Sequence, residues 1–117
     1  PKKTYSFSFP INLDRKYWID FIRGYFDGDG RVSTAGPSAI RFKICSYRPQ
    51  VLETIVNYLY EEYDIPKVSI QQQMKESGHY LYNFQYSNSS TRKLFDILYY
   101  PGCLCLPRKY EKFKSII

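Results

Sequence analysis

The chain is poor in the residues that most metal- and nucleophile-based sites use. It holds one histidine, His79, and three cysteines, Cys45, Cys103 and Cys105, in 117 residues. An odd number of thiols does not make a disulfide framework and fits a reducing compartment. Cys103-Leu104-Cys105 has no second pair beside it, and structural zinc needs four nitrogen or sulfur ligands, so a zinc module is disfavoured. The single histidine also argues against hydrolase and nuclease sites that rely on several. No run of about 18 apolar residues occurs, so no helical membrane span is expected. The opening does not match a secretory leader, and the expected location is intracellular, in the cytoplasm or an organelle. Internal repeats and low-complexity tracts are lacking as well.

Acid is also in short supply. Seventeen Lys and Arg stand against eleven Asp and Glu, for a formal charge of +6. A small basic chain favours a polyanionic partner, of which nucleic acid is the commonest. Apolar residues make up 44%, enough for one packed core at this length but not for two. Residues 1–13, with Lys2, Lys3 and two prolines, read as a leading arm, and residues 14–117 as a single domain.

Apolar spacing sets the expected elements. Asp14 is placed to cap a helix carrying Trp18, Phe21, Ile22, Tyr25 and Phe26, which stops where Gly28 and Gly30 favour departure from helical geometry. Arg31–Thr34 and Ala39–Cys45 read as strands joined by Ala35-Gly36-Pro37-Ser38. Pro49 opens a helix with Val51, Leu52, Ile55, Val56, Leu59 and Tyr60, which runs out near Asp64 and Pro66. Lys67–Lys75 and Tyr80–Tyr86 form a second hairpin turned at Glu76-Ser77-Gly78. Ser89 or Ser90 caps a third helix through about Tyr99, Pro101-Gly102 breaks it, and a last helix starts near Pro107. The fold expected is α+β: a four-stranded antiparallel sheet with the helices on one face.

Strand alternation gives that sheet two chemistries. Val32, Ile40, Phe42, Ile44, Val68, Ile70, Met74, Tyr82, Phe84 and Tyr86 form the dry set, interrupted by Gln72. Arg31, Ser33, Arg41, Lys43, Ser69, Gln71, Gln73, Lys75, Asn83 and Gln85 form the wet set, diluted by Cys45 and Leu81. The wet set has no acid. Arg and Lys pair with guanine edges or phosphates, and Gln and Asn bond adenine bidentately, so it is a candidate nucleic-acid face. An ordinary solvated face would mix Glu and Asp with its lysines.

The first helix ends in Asp27-Gly28-Asp29-Gly30. A calcium loop is excluded, because with Gly30 as its sharp-turn glycine the first and last ligand positions fall on Tyr25 and Gly36. A plain helix stop accounts for Gly30 but not for two carboxylates at the negative end of the helix dipole. They point to a bound cation, and Mg²⁺ prefers oxygen ligands and bridges to phosphate. Gly24 and Gly28, four apart, leave one helical face bare, where a second helix can come close.

Ile22-Arg23-Gly24-Tyr25-Phe26-Asp27-Gly28-Asp29-Gly30 resembles the nine-residue motif of the LAGLIDADG homing endonucleases, with glycines and acids in register. The following element order resembles that family's αββαββα core with its saddle-shaped sheet. Leu106-Pro107-Arg108-Lys109-Tyr110-Glu111-Lys112-Phe113 is similar to the basic-aromatic segment near the end of many members, so the likeness spans residues 14–117. It implies a site-specific double-strand DNA endonuclease, with Asp29 and the Gly28 carbonyl holding Mg²⁺ or another divalent cation. A single motif implies a homodimer on a near-palindromic site, with Phe21, Gly24, Tyr25 and Asp27 at the helix interface. Two supporting positions of the family fall on Ser46, which can order a water, and Pro107, which cannot act as a cation. Lys109, and Arg108 as a phosphate contact, are the nearby substitutes. The competing readings are a cleavage-deficient DNA- or RNA-binding module, maturase-like or regulatory, and a half-domain of a larger parent.

Overall fold

The computed structural model describes residues 14–34 and 39–117, and of Lys16 and Asp29 the backbone alone. The expected arm at 1–13 and turn at 35–38 lie outside the described residues. Among the described residues, four α-helices and one four-stranded antiparallel sheet make an α+β fold. In chain order these are α1 (Trp18–Asp29), β1 (Gly30–Thr34), β2 (Ile40–Ser46), α2 (Pro49–Tyr63), β3 (Gln71–Met74), β4 (Tyr80–Ser87), α3 (Asn88–Leu98) and α4 (Pro107–Ile116). The sheet order is β1-β2-β4-β3.

The core lies between the helices and one face of the sheet. Cross-strand register stacks Val32, Phe42 and Tyr86 in one row and Gly30, Ile44 and Phe84 in the next. All six are buried. Phe26 of α1 stacks on Phe42 with ring centroids 4.5 Å apart, and Phe113 of α4 closes on both rings at 5.8 and 5.9 Å. Trp18, Ile22 and Phe26 recur every fourth residue, so α1 lays a single stripe on this layer. From α2 come Val51, Leu52, Ile55, Val56 and Leu59. Burying one such side chain is worth roughly 1.5–3 kcal/mol.

Several boundaries differ from the sequence expectation, each for a local reason. A 3-10 turn, Arg15–Tyr17, precedes α1, and the Asp14 carbonyl accepts the Tyr17 N–H at 2.9 Å, so the α-helix proper begins at Trp18 without a side-chain cap. Helix α3 starts at Asn88, not after Ser89 or Ser90: Asn88 takes φ 50° and its Oδ1 accepts the Ile40 N–H, tying the helix start to β2. The third strand shrinks from the expected 67–75 to Gln71–Met74, because the ladder with β4 begins only at Gln71↔Asn83. As an edge strand it is exposed throughout, so Met74, expected inside, is 54% exposed. Tyr60 also faces outward, under the Lys67 ammonium at 5.0 Å, and Tyr58 takes the buried position.

Candidate functional site

Helix α1 passes into β1 with no intervening loop, which puts the Asp-Gly-Asp-Gly segment at a helix–strand junction. The sequence expectation of a conformational stop at Gly30 needs correcting. Gly30 has φ −85° and ψ 168°, extended backbone open to any residue. Glycine is required there by contact: an added Cβ would lie 2.1 Å from Phe26 Cδ1 and 2.8 Å from Phe26 O. The Gly30 N–H closes the helix on Phe26 O. Gly24 and Gly28 differ from it. Both are exposed and helical, and an added Cβ would meet nothing within 4 Å at either. Phe21 and Tyr25, half-buried with centroids 6.4 Å apart, share that helical face.

Of the two motif acids, Asp27 is buried. Its Oδ1 accepts the Tyr99 hydroxyl at 2.8 Å and its Oδ2 accepts the Leu106 N–H at 3.0 Å. It therefore ties α1 to the linker between α3 and α4 within the chain. Burial and this carboxylate both push the Tyr99 hydroxyl pKa up, which keeps it a donor. Asp29 is the last residue of α1; its side chain lies outside those described.

Beside this junction opens a cleft of ≈ 330 Å³ lined by Gly28, Gly30, Arg31, Val32, Lys109 and Lys112. Lys109 donates to the Gly30 carbonyl and sits 5.6 Å from the Phe26 ring centroid. Burial lowers its pKa, reinforced by the charges of Lys112 and Arg31. A second concavity holds Arg31, Val32, Ser33, Arg41, Lys43, Gln85 and Lys112. Arg31, Val32 and Lys112 line both, so the motif-end cleft adjoins the outer sheet face.

The register gathers most of the expected wet set. Arg31, Lys43 and Gln85 form one row, Ser33, Arg41 and Ser87 the next, and Cys45, Asn83 and Gln71 a third. Gln73 pairs with Leu81 farther out. Ser69 and Lys75 lie outside the ladder, flanking β3, and Arg108 is exposed on α4. Ser46 belongs to the opposite face, in register with Tyr82. It is buried, and its Oγ accepts the Arg48 N–H at 3.0 Å, so this hydroxyl holds the turn into α2.

Two residues that sequence reasoning passed over help to build the site. Arg23 is 4% exposed yet fully engaged: Nε donates to Leu104 O at 2.6 Å, one terminal nitrogen to Leu98 O at 2.8 Å, the other to Asp20 at 2.9 Å. Nothing in apolar spacing signals a buried arginine. Lys112 had a signal, since it follows Lys109 by three on one helix and shares its face. The sequence matches no protein-family model and no curated protein.

Proposed function

We propose that this protein is a site-specific double-strand DNA endonuclease of the LAGLIDADG homing type, acting as a homodimer with Mg²⁺ or a similar divalent cation. The observation that carries the reading is the continuity of the motif-end cleft with a sheet face of Arg31, Arg41, Lys43 and Gln85 through Arg31 and Lys112. A duplex lying on that face would bring a backbone phosphate to the end of α1. The order of helices and strand pairs along the chain suits the family's core, and the sheet is read as its saddle.

The donor set suits a hard cation. Gly28 lines the cleft, its carbonyl lies at the negative end of α1, and no basic residue occupies the last turn of that helix. With the Asp29 carboxylate, these are oxygen donors of the kind Mg²⁺ takes. When bound, the cation supplies an activated water and stabilises charge on the leaving oxygen. Arg31, Lys109 and Lys112 neutralise the phosphate, with Lys109 braced on the Gly30 carbonyl of the motif. Their combined charge opposes a bare cation, so the DNA phosphate completes the site. Gly24 and Gly28 leave room for a second copy of α1, which would bring the partner's Asp29 to the other strand.

The cleavage-deficient binding module has two observations in its favour: the Ser46 hydroxyl holds a turn, and Pro107 stands at the start of α4. A randomised duplex library incubated with Mg²⁺ separates the two readings. An endonuclease cuts some members, and Asp29→Asn still binds them without cutting. Binding with no nick from either protein leaves the module. Sedimentation showing only monomer, with and without DNA, would sink the homodimer.

A further inference from the structure

A third cleft, of ≈ 330 Å³, shares no lining residue with the one at Gly28 and has Cys103, Cys105, Tyr99 and Tyr110 among its walls. Exposure alternates along this stretch. Cys103 and Cys105 are half-buried, while Leu104 between them is 88% exposed. With Leu104 turned outward between them, the two thiol side chains line the same cleft. The backbone that carries them is pinned at three points. Cys103 N–H donates to Tyr100 O at 3.1 Å, Leu104 O accepts Arg23 Nε at 2.6 Å, and Leu106 N–H donates to Asp27 at 3.0 Å. The pair is thus preorganised by side chains of α1.

Among the described residues no three His, Cys, Asp or Glu come together to hold a metal ion. Tetrahedral zinc would therefore lack ligands at this cleft. Two thiolates between aromatic walls match a soft ion that two sulfurs satisfy, and soft thiolates select monovalent copper. We propose that Cys103 and Cys105 form a dithiol site for a soft two-coordinate cation of the Cu(I) class. On uptake each S–H bond breaks, each proton passes to solvent and two S–Cu bonds form, with no change of oxidation state. The bound ion braces the linker that Arg23 and Asp27 hold against α1. The site does not depend on the endonuclease reading, because its readout is thiol occupancy.

The test uses the reduced, intact chain, supplied anaerobically with Cu(I) from a competing chelator and then treated with iodoacetamide. One Cu(I) per chain is expected, with Cys103 and Cys105 protected and Cys45 alkylated in the peptide map. Cys103→Ser and Cys105→Ser should each weaken uptake by at least about 100-fold, more than loss of an outer-shell partner costs, while Cys45→Ser leaves it unchanged. Protection of Cys45 in place of the pair overturns the assignment, as does equal uptake by a chain whose Cys103 and Cys105 are already alkylated. The protection map needs no variant, so a misfolded substitution leaves the test intact.

Discussion

In the first half of the chain α1 leads into β1 and β2; in the second, α2 leads into β3 and β4. The two halves share an order and differ at the helix ends. Helix α1 joins its strand directly, through a glycine whose backbone any residue could adopt. Helix α2 ends at Asp64 in the left-handed region, φ 58° and ψ 32°, where glycine is the usual choice, and residues 64–70 intervene before β3. Glycine stands where conformation does not ask for it, and a carboxylate where conformation does. The end of α1 is therefore shaped by what touches it, namely Phe26 below and a basic cleft beside it. The end of α2 is an ordinary stop, sealed by buried Ile65, whose N–H donates to Leu59 O at 3.3 Å.

The sharpest way to break this contrast is at Gly30. In Gly30→Ala the new methyl meets a Phe26 ring that is itself fully buried and stacked on Phe42. Overpacking of this kind costs about 3 kcal/mol, readable in urea unfolding. Gly28→Ala, two residues earlier in open space, should leave stability unchanged or raise it by up to about 1 kcal/mol. Equal losses at both positions would mean that the junction is not set by contact.

Asp27 comes next. Asp27→Asn keeps one acceptor oxygen for two donors and turns an amide NH₂ toward either Tyr99 or the Leu106 N–H. A loss of about 2 kcal/mol is expected for a buried donor left without its partner. Tyr99→Phe in the same background should add little more, since the two changes remove one hydrogen bond. Full additivity in that double-mutant cycle would separate the residues and weaken the tie between α1 and the linker.

Much of this was legible beforehand, and the exceptions have physical causes. The stripes Trp18-Ile22-Phe26 and Leu52-Ile55-Val56-Leu59, and the alternation Ile40-Phe42-Ile44, are set by burial against one layer, and periodicity reports that directly. The third strand was overread because alternation at Val68 and Ile70 reflects half-buried packing without a ladder. Arg23 was invisible because its partners are carbonyls of Leu98 and Leu104, about 80 residues away in sequence and carrying no side-chain signal. The motif acids stood out because carboxylates are rare at that end of a helix. Their division of labour, with Asp27 tied inward, needed the position of Tyr99.

The surroundings of the two helix ends should also differ in DNA binding. Arg31→Ala and Lys112→Ala each remove a cation shared by the two concavities, and each should flatten the salt dependence of binding by about one unit of slope. Lys67→Ala, in the irregular stretch after α2 where the ammonium lies over Tyr60, should leave the slope unchanged. A drop at Lys67 equal to that at Arg31 would extend the nucleic-acid surface to the end of α2 and remove the special standing of the end of α1.

The smallest effect is expected at Asp64, and it runs in the opposite direction. A left-handed conformation costs an ordinary residue about 1–2 kcal/mol, and glycine's extra backbone entropy costs about 0.5–1 kcal/mol. Asp64→Gly should therefore stabilise by about 0.5–1 kcal/mol. The cap itself survives, because Asp64 N–H to Tyr60 O at 3.1 Å and Ile65 N–H to Leu59 O are backbone bonds. Removing a carboxylate from the negative end of α2 adds to the gain. A thermal midpoint a few degrees higher, with DNA binding unaltered, would keep the end of α2 structural. A fall in stability or in DNA binding would assign the Asp64 carboxylate a role of its own, and the two helix ends would then be alike in carrying functional acids.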